Sequence, residues 1–154
     1  MKSLIVSAML VALSTPVAGA AADPAPTAQT QQADAHAPRI LLVAFSGPED
    51  AMRLTAPFHH AVLLEESHAA RDVAIVVYGR AVAAVVASVK GVPPQARQDL
   101  DKALKAGVKV YACAYSLEMA GFGSAPLIPG VEKVPAGAIQ VARLVGQGYV
   151  PLQY

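Results

Sequence analysis

The side chain with the widest chemical reach in this chain is its single cysteine, Cys113. A thiolate attacks disulfides and sulfane sulfur, whereas the protonated thiol is a poor nucleophile. Cys113 closes a short apolar run, Val108 to Cys113, that reads as a buried strand. A helix-forming segment, Tyr115 to Ala120, follows at once. In open α/β sheets, ligands and chemistry gather at the carboxyl ends of the strands. A cysteine there faces the crevice and lies beside the amino end of the next helix, whose dipole favours the thiolate. Cys113-Ala114-Tyr115-Ser116 adds a C-x-x-S spacing at the same turn. Ser116 is expected to cap the helix and to donate a hydrogen bond to the sulfur. Tyr78 and Gly79, at the end of an earlier strand, are expected on the same rim, as are Ser46 and Gly47. The competing reading is a structural cysteine, because cysteine is among the most buried residue types and is often inert.

Other arrangements carry less chemistry. Gly121-Phe122-Gly123 lies after a helix and lacks the third glycine of a dinucleotide fingerprint. No phosphate-binding loop is present, and neither Ser88 nor Ser124 sits in a nucleophile elbow. The C-x-x-S spacing occurs in thioredoxin-like redox sites, but here it falls late in the chain and lacks the usual cis-proline context. His59 and His60 are adjacent and point to different faces of a helix, while His60 and His68 lie two turns apart. With Cys113 and Met119 they would make a soft copper site only if the fold gathered them. Solvated or lightly packed histidines are the expectation, so no metal ligands are assigned.

The elements that must position Cys113 are readable in order. Met1-Lys2, the apolar run Leu4 to Leu13 and the Ala18-Gly19-Ala20 cleavage site form a signal peptide, expected over residues 1–20. A tail rich in Ala, Pro, Gln and Thr, residues 21–38, is expected to be disordered. One domain, residues 39–154, follows. Twelve Lys and Arg face eleven Asp and Glu, and loss of Lys2 with the leader leaves them balanced. That balance argues against nucleic acid and against an anionic membrane surface as partners. No stretch is long and apolar enough for a stable membrane anchor. The location expected is therefore periplasmic or secreted, where a lone thiol has no partner within its own chain.

Arg39 to Phe45 and Asp72 to Tyr78 are continuous apolar runs typical of parallel strands. A helix is expected from about Asp50 to about Ala70, kinked or restarted at Pro57. Arg80 to Val89, rich in Ala and Val, reads as a buried helix weakened by its valines. Pro93-Pro94 opens an amphipathic helix over Gln95 to Ala106. A short strand at Val131 to Val134, a helix over Ala136 to Val145 and an edge strand at Tyr149 to Leu152 complete the chain. The alternation makes an α/β fold with a mostly parallel five-stranded sheet between helical layers. Only 15% of residues are charged, and the Ala81 to Val89 segment has apolar surface to spare. A homotrimer or higher homo-oligomer is expected, with that segment or the loop after Cys113 at the contact.

Several of these segments together resemble the DsrE/DsrF-like family. They are Gly107-Val108-Lys109-Val110-Tyr111-Ala112-Cys113, Ser116-Leu117, Leu127 to Gly137, Ala142-Arg143-Leu144 and Gln147-Gly148-Tyr149. Family members often read GV-x-V-x-A-C, then P-x-G, A-R-L and E-G-Y. The strand end Val76 to Gly79 fits as well, and the resemblance runs from Arg39 to Tyr154. It implies a three-layer α/β/α fold of flavodoxin-like architecture, assembled as trimers or hexamers. It also implies a cysteine at position 113 that carries a persulfide and passes the outer sulfur to a partner. Two features depart from the pattern: Ala114 stands where the family has glycine, and the leader contrasts with carriers that work in the cytoplasm.

Two functions of different class follow. The first is a periplasmic sulfur-relay or thiol-transfer protein with Cys113 as carrier, supported by Ser116, Tyr78 and Gly79. It would exchange sulfur with donor and acceptor proteins or small sulfur species, and would need no metal or organic cofactor. The second is a non-catalytic oligomeric protein that binds a small ligand and uses its cysteine only for packing.

Overall fold

The computed structural model describes residues 37–154. The expected leader and all but the last two residues of the expected tail lie outside the described residues. Five strands form one sheet: β1 (Arg39–Ala44), β2 (Asp72–Val77), β3 (Lys109–Cys113), β4 (Val131–Val134) and β5 (Tyr149–Gln153). Their order across the sheet is β4-β3-β2-β1-β5, and every neighbouring pair is parallel. The sheet is thus wholly parallel, and all its carboxyl ends lie along one edge. Past their first residues, β1 and β2 are buried throughout, which accounts for their uninterrupted apolar sequences. Pro151 is accommodated in β5, which among the described residues pairs with β1 alone.

Helices cover both faces: α1 (Ala51–Glu66), α2 (Pro94–Lys105), α3 (Ala114–Met119) and α4 (Gly137–Gly146). Ile40, Leu42, Ile75 and Val77 pack on one face against Leu54 and Phe58 of α1, Leu100 of α2 and Leu117 of α3. Leu41, Val43, Ala74 and Val76 pack on the other face with Leu144 of α4 and Tyr149. These two cores make the three-layer α/β/α architecture.

Asp50 starts α1 by accepting the Arg53 N–H at 3.1 Å. The helix ends at Glu66, short of Ala70, because His68 turns the chain through a left-handed conformation with φ 52°. Pro57 does not restart it. The ring is buried among Leu54, Phe58, Ala61 and Val62, and that burial offsets the one backbone hydrogen bond that proline forgoes.

The Ala- and Val-rich segment departs most from expectation. Gly79–Val85 forms a tight 3₁₀ turn rather than an α-helix, and the chain is extended again at Val86. Val86 then bridges antiparallel to Leu127, with Ala87 N–H donating to Pro126 O and Ile128 N–H to Val85 O. In a 3₁₀ helix residues three apart eclipse, so Ala81 and Ala84, and Val82 and Val85, stack as two ridges. Both ridges are buried, as is the rest of Ala81 to Val86. This part of the segment spends its apolar surface inside its own domain and has none to spare for a subunit contact.

Candidate functional site

The site is built where β1, β2, β3 and the entry to α4 converge at the carboxyl edge of the sheet. Cys113 is the last residue of β3 and keeps an extended backbone, φ −70° and ψ 114°. The helix therefore starts at Ala114, and the residue that caps it is Cys113. Its Sγ accepts the Ser116 N–H at 3.4 Å. Ser116 was the expected cap; the structure places it three residues past the cap instead. Its backbone N–H is the capped group, and its hydroxyl accepts the Gly79 N–H at 2.9 Å. That bond ties the first turn of α3 to the end of β2.

Cys113 is 4% exposed. Burial pushes its thiol up, but hydrogen bonds to the sulfur outweigh it and hold the pKa below the ordinary thiol value. The donors are the Ser116 hydroxyl and the backbone N–H groups of Ser116, Gly137 and Tyr115. Gly137 begins α4 far along the chain. A Cβ on it would lie 2.8 Å from Tyr78 Cβ and 3.3 Å from Cys113 Cβ, so only glycine lets this backbone approach the sulfur. Gly79 meets a similar limit. Its φ is +60°, and a Cβ would fall 2.5 Å from the Phe45 ring.

An open cavity of about 530 Å³ has Cys113 in its wall. Phe45 and Tyr78, which follow β1 and β2, meet edge to face with centroids 5.2 Å apart and form another part of the wall. Tyr115 and Met119 of α3 stand largely in solvent at 63% and 72% exposure. Ala136, Gly137 and Ala138 supply the remaining side. Among the described residues lining the cavity, Arg80 alone carries a charge, and its Nε lies 3.0 Å from Glu49 Oε1.

All four residues singled out in the sequence, Cys113, Ser116, Tyr78 and Gly79, line this one cavity. Ser46 and Gly47 do not; the Gly47 N–H turns to the Glu49 carboxylate at 3.3 Å. Sequence reasoning missed Phe45, Arg80 and the start of α4 at Ala136 to Ala138, and it weighed Met119 only as a copper ligand. The rule that found Tyr78, a residue just past a strand end, would also have found Phe45. His59 and His60 line a separate cleft with Met52, Thr55 and Gln95, away from Cys113 and Met119. His59 Nδ1 lies 3.3 Å from the buried Asp99 carboxylate, and His60 Nδ1 bonds the Tyr154 hydroxyl at 2.7 Å. Among the described residues no three or more His, Cys, Asp or Glu gather closely enough to hold a metal ion, and no helix is long and apolar enough to cross a membrane.

Fold and site together define a wholly parallel α/β/α domain with a hydrogen-bonded thiol at the carboxyl edge of its sheet. The chain belongs to the DsrE/DsrF-like family, whose model matches residues 39–154, and that family is associated with sulfur relay. The ychN protein from E. coli has a similar fold, with a TM-score of 0.66 at 23% identity over 76% of this chain and 99% of that one. So does MTH1491 from Methanobacterium thermoautotrophicum, a protein of unknown function, with a TM-score of 0.65 at 18% identity over 76% and 99% of the two chains. BT1422 from Bacteroides thetaiotaomicron gives 0.58 at 16% identity over 75% and 94%. A search of curated proteins returned no match.

Proposed function

We propose that this chain is an exported sulfur-relay protein that carries a sulfane sulfur as a persulfide on Cys113. The observation that carries the reading is a thiol in the wall of an open cavity whose Sγ accepts the Ser116 N–H at 3.4 Å and whose pKa is held below the ordinary thiol value. This setting stabilises the Cys113 thiolate, the attacking form, without an ion pair. In the loading step the Cys113 thiolate attacks the outer sulfur of a donor persulfide R–S–SH. A new S–S bond forms at Sγ, the donor's S–S bond breaks, and the electron pair leaves with the donor thiolate. In the unloading step an acceptor thiolate attacks the outer sulfur, takes it as its own persulfide, and restores the Cys113 thiolate. Neither step consumes an oxidant or a reductant.

Cys113→Ser separates this reading from that of a structural thiol. Serine is a good helix cap, and its hydroxyl can accept the Ser116 N–H that Sγ accepts now. The variant is expected to keep its fold and to lose all uptake of sulfur from polysulfide or from a persulfide donor. Intact mass should rise by one sulfur in the wild type only. Wild-type protein that stays unmodified, beside a clearly destabilised variant, would favour the non-catalytic binding protein, a reading that the 4% exposure of Cys113 supports. Export is tested by the amino terminus of the mature protein, expected after Ala20 or Ala22. Assembly as a homo-oligomer is tested by light scattering. With Ala81 to Val86 buried, the loop that follows α3 is left as the expected contact.

A further inference from the structure

We infer that the sulfur exchanged at Cys113 travels on a small organic persulfide whose body is apolar and uncharged and which seats in the cavity beside the thiol. The inference rests on the carrier reading and names the class of its substrate. Three observations lead to it. The first is size: a cavity of about 530 Å³ is far larger than a bare chain of two or three sulfur atoms needs. Spaces of several hundred Å³ are the size that encloses an organic ligand.

The second observation is the wall. Phe45, Tyr78, Tyr115 and Met119 present aromatic faces and a polarisable thioether, which favour a planar or branched apolar group. The two outermost, Tyr115 and Met119, leave apolar surface in water that such a ligand would cover. The third is charge. Among the described residues Arg80 is the only charged one in the lining, and Glu49 already holds its Nε at 3.0 Å. An anionic inorganic polysulfide, or a peptide persulfide with several carboxylates, would lose hydration on entry with little charge to replace it. A neutral body loses none. The Ser116 N–H is instead directed at Sγ itself, where the transferred sulfur arrives.

The exchange is the loading step given above, with R the apolar body. The outer sulfur moves from R–S–SH to Sγ, and RS⁻ departs with the electron pair of the broken bond. The test compares benzyl persulfide with glutathione persulfide as donors to the purified protein. Loading of Cys113 is followed by intact mass, and each rate is divided by that donor's rate with a free small thiol. The normalised rate for the benzyl compound is expected to be higher by about tenfold or more, as burial of one aromatic ring implies. Met119→Glu places a carboxylate at the mouth, on a side chain exposed enough to accept it without disturbing the core, and should cut that preference severalfold. Equal normalised rates, or faster loading from glutathione persulfide, overturn the inference while leaving Cys113 a carrier. A benzyl preference that survives Met119→Glu and Tyr115→Glu also overturns it, because the ligand then seats elsewhere. Loading from neither donor removes the carrier reading and the inference with it.

Discussion

Around Cys113 one sulfur performs two tasks, capping a helix and holding a negative charge. Both use the same N–H groups, so a change in the donors should be read directly in thiol reactivity. Burial acts to raise the Cys113 pKa, and the Ser116 hydroxyl is the first of the groups that bring it down. Ser116→Ala is therefore expected to move the pH midpoint of iodoacetamide alkylation upward, toward that of an ordinary thiol. An unchanged midpoint would show that the backbone donors suffice. Gly137→Ala is a stronger perturbation. Its Cβ would press on Tyr78 and Cys113, and relief requires α4 to retreat and withdraw its N–H from the sulfur. A cost of about 1–3 kcal/mol is expected in urea unfolding, together with slower alkylation near neutral pH. The cysteine, Ser116, Tyr78 and Gly79 were legible in the sequence because each stands at a strand end, and strand ends follow from apolar runs. The role of Ser116 was not legible. Whether the helix starts at Ala114 or later depends on the backbone angles of the residues from Ala114 to Ser116, and no residue pattern records them. Gly137 reaches the sulfur from a different part of the chain, and only the packing of α4 on the sheet brings it there.

At the scale of elements, the strands and most helices could be read because burial on both faces leaves an unmistakable apolar sequence. The exception is instructive. Ala81 to Val86 has the composition of a buried helix, but its valines disfavour the α conformation, and two eclipsed ridges fit the space against the sheet. What stops the segment from lengthening is long-range. Arg97 of α2 donates through Nη2 to Val86 O at 2.7 Å and to Val89 O at 3.1 Å, and Leu127 bridges Val86 from the other side. Arg97→Leu keeps the apolar stem and removes both bonds. It should destabilise the domain by about 1–3 kcal/mol in urea and speed amide exchange across residues 85–89. Exchange confined to α2 would show that Arg97 matters only to its own helix. The pair between His59 of α1 and Asp99 of α2 belongs to the same level. Asp99 is buried, its Oδ2 lacks a hydrogen bond, and His59 Nδ1 lies 3.3 Å from that oxygen. No sequence pattern foretells a buried aspartate on a helix whose other inward residues are Ala96, Leu100 and Ala103.

Over the whole molecule the two ends of the parallel sheet are specialised differently. The carboxyl edge holds the thiol and its cavity, and the amino edge is clasped by a polar cluster that spans four of the five strands. Asp72 of β2 accepts the Tyr149 hydroxyl of β5 at 2.5 Å and lies 3.3 Å from Lys109 Nζ of β3 and 4.0 Å from Arg39 Nε of β1. The Lys109 pKa is raised, chiefly by its hydrogen bond to Asp72, with burial opposing. Burial raises the Tyr149 pKa most, and the bond to Asp72 adds to it. Both shifts favour the protonated groups in the folded state. The stability they confer is complete below their unfolded values of about 10, and it is lost as pH climbs through the raised folded values. Melting temperature should therefore fall on the alkaline side, above about pH 10, and the cluster should contribute nothing to that loss near neutrality. Asp72→Asn removes the charge that both groups lean on. It should lower stability at pH 7 and partly flatten the alkaline part of the curve, since Lys109 loses the chief cause of its raised value while Tyr149 keeps the part that burial gives it. Because the cluster lies at the opposite edge of the sheet from Cys113, the same variant should alkylate with the wild-type pH midpoint. A shifted midpoint would mean that the two edges communicate through the sheet, and an unflattened alkaline limb would assign the loss to other groups.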